Sequence, residues 1–220
     1  MNRLRFDLDF VIRHLPDFVG AVELALEIFA AATLLALVLS IPLALARLSR
    51  GPARWIATGY VELFRNTPLL IQLYFIFFGL PIVGIVFSPF VSGMLALGAQ
   101  HAAFFAEIFR GMIQSVAVGQ RDAGLALGLM PNAVMRKIVL PQAVRNAIPA
   151  IGGQFALLLH DTSLASTIGI MEITLQGRTL AEQSAASFEM FVAVGAIYLL
   201  LSAGFSVLIR GLEQTARYAR

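Results

Sequence analysis

Long apolar runs separated by short charged segments dominate the pattern of this chain. A membrane-spanning helix needs about 20 predominantly apolar residues, and several runs reach that length. The pattern predicts five spans, at about 19–46, 58–87, 90–116, 144–171 and 190–209. Residues 66–106 carry no formal charge and are too many for one span, so we expect a hairpin near Phe87–Phe90, where Ser88-Pro89 is a turn signal.

The charges between the runs orient the predicted spans. Segments with an excess of Arg and Lys are 47–54, 121–145 and 210–220, whereas 172–189 is acidic and is predicted to be a polar loop. Basic loops are retained on the cytoplasmic side of a membrane. Five alternating spans place all three basic segments on that side, which predicts an outside N-terminus and a cytoplasmic C-terminus.

Composition supports a membrane protein and narrows its chemistry. Hydrophobic residues make up 59% of the 220 residues and charged residues 13%, with a mean hydropathy of +0.83, whereas a soluble domain carries about 25% charged residues. The basic residues lie in the loops, which indicates membrane topology rather than nucleic-acid binding. The chain has no cysteine, no phosphate-binding Gly-x-x-x-x-Gly-Lys-Ser/Thr loop and no nucleophile elbow, and its three histidines lack metal-site spacing. We therefore expect no catalytic residue, no metal and no enzymatic activity of its own.

A mostly polar, basic stretch from Gln120 to Pro141 interrupts the apolar pattern. Its residues predict a short helix over 122–127, with Ala123, Ala126 and Leu127 on one face. Gly128 is expected to end this helix in a left-handed conformation. Such a compact structure between two spans suggests a docking site, although a loop that only joins the spans remains open.

The second half of this stretch predicts another short helix. Pro131 suits its first position, where no backbone donor is missed. Arg136 and Lys137 suit the negative end of that helix, and Pro141 marks entry into the next apolar segment.

Asp161 is a carboxylate in the middle of the fourth predicted span, where it costs roughly 2.5–3.5 kcal/mol on insertion scales. His160-Asp161-Thr162-Ser163 also resembles a helix start after the flexible pair Gly152-Gly153. A broken helix there would direct free N–H groups at a cavity. We predict that Asp161 attracts the ammonium group of a substrate, while Thr162 and Ser163 bind the carboxylate group of that substrate. The alternative is that Asp161 pairs with a basic neighbour and Ser163 bonds to its own helix.

Glu62 and Arg65 share a helix face in the second predicted span and are expected to pair. Pro68 interrupts that helix and frees a carbonyl. With Thr67 and Gln72 this predicts a polar substrate-facing lining, or alternatively a structural ion pair beside a packing kink.

Two further polar pairs occur in the third predicted span. Glu107 and Arg110 repeat the three-residue spacing, and we favour a structural ion pair for them. Gln100 and His101 are expected at a helix–helix contact.

The basic stretch resembles the signature loop of the membrane subunits of bacterial ATP-driven importers. That signature is Glu-Ala-Ala, three residues, Gly, nine residues and Ile-x-Leu-Pro. This chain has Asp122-Ala123-Gly124, then Gly128, then Ile138-Val139-Leu140-Pro141, so both gaps match. Gly for Ala at position 124 weakens a helix by about 1 kcal/mol. The stretches 61–81, 106–111 and 160–174 are similar to the polar amino-acid branch of these permeases, which includes histidine, arginine, glutamine, glutamate and opine importers.

The resemblance implies an all-α membrane protein with a MetI-like importer permease fold, in which residues 1–220 form a single transmembrane domain. It implies translocation of a polar amino acid across the bacterial inner membrane, in contact with membrane lipid. The implied partners are ATP-binding cassette (ABC) ATPase subunits, which bind the ATP, a periplasmic substrate-binding protein and a second permease subunit, identical or paralogous. No cofactor is implied on this chain. The implied ATPase-coupling residues are Asp122, Ala123, Gly124, Leu127, Gly128, Met130 and Pro131. An ion-coupled secondary amino-acid carrier is the alternative function.

Overall fold

The computed structural model describes residues 6–218, and the side chains of residues 6–211. The predicted basic segment 210–220 thus lies mostly outside the described side chains. All regular elements of the described chain are helical, which confirms the predicted all-α class. The α-helices are α1 (Leu8–His14), α2 (Val19–Leu48), α3 (Pro52–Asn66), α4 (Leu69–Tyr74), α5 (Pro89–Ser115), α6 (Val118–Ala126), α7 (Pro131–Val134), α8 (Leu140–Asp161), α9 (Ile173–Ser184) and α10 (Ser187–Tyr218).

The core forms where α2 lies along α5, the most extensive helix pair of the structure. Small residues of α2, including Ala32 and Ala36, are fully buried against Leu97 and Phe105 of α5. Small side chains allow two helix backbones to approach closely, which is how helices associate where no water is available to drive them together.

The first and fifth predicted spans are confirmed as helices but are longer than expected. Helix α2 is preceded by a 3₁₀ turn at Leu15–Phe18 and by α1, so one helical run extends over Leu8–Leu48. At the other end of the chain, α10 begins at Ser187. The runs Leu8–Leu48 and Ser187–Gly211 are each long and apolar enough to cross a membrane.

The second predicted span, 58–87, is interrupted at Pro68, as the sequence predicts. Helix α3 ends at Asn66, and the following helical run Leu69–Val83 is bent from it by 105°. Pro68 has no N–H to donate and forces Thr67 into an extended conformation (φ −108°, ψ 138°), so the helix stops. The connection that follows runs from Gly84 (φ +86°) to Ser88, so it begins slightly before the predicted 87–90 and overlaps it.

The third predicted span agrees closely with α5. The helix begins at Pro89 because Ser88 caps it by accepting a hydrogen bond from the N–H of Val91. Helix α5 turns by 59° into α6. If each bent pair is one span, the described helices supply up to four spans, and α8 is not among them. The number of five spans therefore stays a prediction.

The acidic segment 172–189, predicted to be a loop, instead contains helix α9. Glu172 caps the helix, because its Oε1 accepts hydrogen bonds from the N–H groups of Thr174 (2.9 Å) and Leu175 (3.1 Å). Its Oε2 accepts a third bond, 2.7 Å long, from the hydroxyl of Tyr198 on α10. Glu172 is fully buried. One carboxylate thus both starts α9 and ties it to α10.

Substitutions of Glu172 measure how much this side chain contributes to the free energy of unfolding. We expect Glu172→Ala to lower the free energy of unfolding by roughly 0.5–2 kcal/mol, the usual cost of removing a cap. Glu172→Gln keeps a carbonyl acceptor and should lose less. Thermal unfolding of the purified protein in detergent measures both, and equal stability of Glu172→Ala and the parent would contradict the assignment.

The buried carboxyl group of Glu172 should also make the stability of the protein depend on pH. Burial raises the pKa of Glu172. Its protonation therefore contributes stability that is fully present below the pKa of the unfolded chain and is lost as the pH rises through the raised value. Glu172→Gln should remove this slope from the unfolding free energy.

Candidate functional site

The region between α5 and α8, which we call the knob (residues 118–139), is a compact helical structure. The N–H of Leu129 donates to the carbonyl of Gly124 and the N–H of Gly128 donates to that of Leu125, a pattern that closes a helix end. Gly128 has φ +77°, which confirms its predicted left-handed conformation. Helix α6 begins at Val118, earlier than the predicted 122.

The second helix of the knob differs from its prediction. Pro131 is its first residue, as expected, but the helix does not end after Lys137. It continues through a π-helical turn, Met135–Val139, into α8. Because Pro141 cannot donate to the carbonyl four residues before it, the turn widens, and the N–H of Leu140 donates to the carbonyl of Met135. Arg136 and Lys137 therefore lie inside one long helical run.

Gly124 explains one departure from the importer signature. A Cβ at this position would lie 2.7 Å from Cδ1 of Ile138 and 3.0 Å from Cγ2 of Val134. The missing side chain lets α6 pack directly on the second helix of the knob. This packing offsets the weak helix propensity of glycine.

Apolar side chains cover the outside of the knob. Leu127 is 81% exposed and Met130 is 77% exposed, and Ala123 and Ala126 are exposed beside them. The face that the sequence predicts is thus presented to the outside of the chain. Clustered exposed apolar residues on a rigid support are typical of protein-docking surfaces.

An ionic cluster connects α2, α3 and α5 on the side of the knob. Nη1 of Arg47 lies 2.6 Å from Oε2 of Glu107, and Arg110 also pairs with Glu107, which confirms the predicted pair in α5. Nη2 of Arg47 lies 3.9 Å from Oε1 of Glu62. The two arginines neutralise Glu107 where three helices meet.

The predicted pairing of Glu62 with Arg65 is wrong. Glu62 contacts Arg47 instead and accepts a hydrogen bond from the amide of Asn66 (3.0 Å). The guanidinium of Arg65 lies 5.4 Å from the centre of the Phe104 ring, at cation–π distance. Helical spacing permitted the pair, but a partner on α2 competes for the carboxylate.

Gln72 satisfies the backbone at the break between α3 and α4. Its Nε2 lies 3.0 Å from the carbonyl oxygen of Phe64, which is the acceptor that Pro68 leaves unpaired. The same nitrogen is 2.8 Å from Oγ1 of Thr67, and the amide of Gln100 reaches the carbonyl of Thr67 at 3.4 Å. The predicted polar lining is therefore a capped helix break, and a substrate role for Thr67 and Gln72 stays a prediction.

The helix start predicted at 160–163 is wrong. Asp161 has helical backbone angles (φ −67°, ψ −17°), and the chain continues from α8 into a 3₁₀ helix, Thr162–Ile168. Thr162 is buried and its hydroxyl donates to the carbonyl of Leu159, while the hydroxyl of Ser166 donates to the carbonyl of Ser163. A capping residue needs an extended backbone, which Asp161 lacks.

Asp161 instead takes part in a chain of polar side chains between α5 and α8. Its Oδ2 lies 3.0 Å from Nε2 of His101, and Nδ1 of His101 lies 2.6 Å from Nε2 of Gln154. His101 is buried at this contact and Gln100 is buried against the break between α3 and α4, so both lie at helix–helix contacts as predicted, whereas the side chain of Asp161 is 37% exposed. Gln154 was missed, although it is seven residues before Asp161 and so lies on the same helix face two turns away.

A sequence profile described as "Binding-protein-dependent transport system inner membrane component" matches residues 24–218. The chain is 38% identical over 207 residues to the nopaline transport system permease protein NocM of Agrobacterium fabrum strain C58, covering 89% of this chain and 86% of that protein. It is 31% identical over 214 residues to the glutamine transport system permease protein GlnP of Escherichia coli strain K12, covering 96% and 98%. The crystal structure of an amino acid ABC transporter with histidines superposes with a TM-score of 0.91 at 30% identity, covering 96% of this chain and 100% of that one.

Proposed function

Because the chain belongs to the family of binding-protein-dependent transport system inner membrane components, we propose that it is the permease subunit of an ATP-driven importer that carries a polar amino acid across the cytoplasmic membrane. The membership confirms the resemblance found in the loop 120–141, and the structural match confirms the importer permease fold. Both findings favour the ATP-driven importer over the ion-coupled carrier, the alternative that the sequence left open.

Relatives support an amino acid as the substrate. The names of the two related permeases give nopaline and glutamine as substrates, and the matching crystal structure is of an amino acid transporter. Nopaline and glutamine both carry the ammonium or amine and carboxylate groups of amino acids. The proposal extends to this class and not to one member.

The observation that carries the proposal is the exposed apolar face of the knob. Leu127 and Met130 are exposed in the turn between α6 and α7. Gly128 ends the first of these helices, and the second is continuous with α8. We propose that the ATPase subunit binds this face, together with Asp122, Ala123 and Pro131, while the predicted coupling residue Gly124 is buried and supports the face from inside. A force applied there reaches α8 directly because no flexible loop intervenes between Pro131 and Asp161.

The remaining partners and the orientation follow from the same proposal. A substrate-binding protein delivers the amino acid from the outside, and a second permease subunit, identical or paralogous, completes the path. The basic segments face the cytoplasm with the knob and the C-terminus, and the N-terminus lies outside. ATP is bound by the ATPase subunits, and this chain carries no cofactor.

Asp161 is the residue that we propose meets the substrate. Its carboxylate lies at the end of α8 beside His101, which is near the middle of α5, and it is the partly exposed member of a polar group that is otherwise buried. An uncompensated carboxylate at that depth is costly unless a cation or water meets it. The ammonium group of an amino acid supplies such a cation, and Ser163, Glu62, Arg65, Thr67 and Gln72 remain further candidates for contact.

Changing Gly128 tests the docking face. Valine at φ +77° is strained by about 1–2 kcal/mol, whereas asparagine tolerates this conformation. We expect Gly128→Val to insert normally but to reduce substrate-stimulated ATP hydrolysis of the reconstituted complex by roughly fivefold or more. Gly128→Asn is the matched control and should stay near the parent, and full stimulation in Gly128→Val would argue against the knob as the coupling element.

Changing Asp161 tests the substrate site. Asp161→Asn keeps the shape and removes the charge, and a hydrogen bond to a charged group is worth about 1.5–3 kcal/mol. We therefore expect amino-acid binding by the complex to weaken about ten- to a hundredfold. Equilibrium binding of labelled L-arginine, L-histidine, L-glutamine and L-glutamate identifies the ligand and measures the loss. Glu182→Gln, at an exposed side chain of α9, is the control, and unchanged affinity in Asp161→Asn would refute the site.

A further inference from the structure

One buried residue, His101, contacts the proposed substrate carboxylate from behind, and a second, Gln154, contacts His101. His101 lies near the middle of α5 and Gln154 lies on α8, two helical turns before Asp161. Both are buried, and the three side chains form a line of contacts of 2.6 and 3.0 Å. Only Asp161, at one end of this line, reaches the surface of the chain.

With the Gln154 amide oriented as in the structure, the contacts indicate which ring nitrogen of His101 carries the hydrogen. Nε2 of Gln154 belongs to an amide NH₂ group, which donates and does not accept, so Nδ1 of His101 is the acceptor. A neutral imidazole that accepts at Nδ1 carries its hydrogen on Nε2. That N–H faces Oδ2 of Asp161 and donates to it.

A neutral donor has a different effect on a carboxylate from that of an arginine. At Glu107, the guanidinium groups of Arg47 and Arg110 neutralise the charge and form a structural cluster. At Asp161, a His101 ring that accepts at Nδ1 is neutral, so it orients the carboxylate and leaves its negative charge uncompensated. The exposed part of Asp161 therefore keeps its attraction for a cation.

We propose that His101 and Gln154 are positioning residues that hold Asp161 in the orientation that receives the substrate ammonium. This inference rests on the proposed function of Asp161. Gln154 selects the tautomer of His101, and His101 fixes the carboxylate. Without such a role, His101 and Gln154 would be unfavourable at a helix contact in an apolar core, because burying polar groups costs free energy and burying apolar side chains does not. Their use here is orientation of the charged group.

Substitutions at His101 test the proposal in the complete complex of permease and ATPase subunits. His101→Leu removes the donor and should weaken equilibrium binding of the amino acid that the parent complex binds best, chosen from labelled arginine, histidine, glutamine and glutamate, by about tenfold or more. The maximal rate of ATP-driven uptake at saturating substrate should change little, because the knob and its connection to α8 are untouched.

A conservative variant separates positioning from structural damage. His101→Gln restores an amide N–H near the place of Nε2 and should recover most of the lost affinity. Gln154→Leu leaves His101 free to turn and should weaken binding in the same direction as His101→Leu. If His101→Gln binds as poorly as His101→Leu, or if the maximal rate falls together with the affinity, the positioning role is refuted.

A double-mutant cycle with Asp161→Asn distinguishes failure of this inference from failure of the proposed site. If His101 acts through Asp161, the double variant should bind no more weakly than Asp161→Asn alone. Additive losses would show that His101 acts independently and would overturn the inference while leaving the site intact. Unchanged affinity in His101→Leu, with a loss in Asp161→Asn, has the same meaning. Unchanged affinity in Asp161→Asn overturns the proposed site and the inference with it.

Discussion

The structure depends on one constraint, which is that backbone polar groups inside a membrane protein find their partners within the protein itself. Two prolines of the described chain, Pro68 and Pro141, show how this constraint is met. Gln72 supplies the donor that Pro68 lacks, at the carbonyl of Phe64. Before Pro141, a π-helical turn rearranges the backbone bonds, with Leu140 donating to Met135. These repairs allow the helices to bend without leaving buried carbonyls unpaired.

Charges within the described helices are treated in two contrasting ways. Glu107 is surrounded by Arg47 and Arg110 and serves to join three helices near the knob. Asp161 is joined to a neutral histidine and stays partly exposed. The first arrangement neutralises the carboxylate and the second preserves its charge. This contrast is why we assign structure to Glu107 and substrate contact to Asp161. The second helix of the knob is continuous with α8, so the proposed docking face and the proposed substrate contact lie on one helical run.

Features that depend on local interactions were predicted from the sequence better than features that depend on contacts between separate helices. The left-handed Gly128 and the start of a helix at Pro131 depend on local backbone chemistry and were predicted correctly. The pairing of Glu62 was not, because helical spacing cannot reveal that Arg47 on another helix approaches the same carboxylate.

Local signals also misled where packing overrode them. Asp161-Thr162-Ser163 has the residues of a helix cap, yet continuous packing of α8 keeps the backbone helical. The polar composition of 172–189 suggested a loop, but one buried carboxylate, Glu172, is enough to begin α9.

The central claim is that solute movement requires a separate ATPase acting through the knob. The most direct measurement is uptake of labelled amino acids into vesicles that contain this chain, with and without its ATPase subunits, the binding protein being present in both. The account predicts uptake only with the ATPase subunits and ATP, undiminished when ionophores collapse the proton and sodium gradients. Uptake driven by an ion gradient in vesicles that contain this chain alone would contradict it.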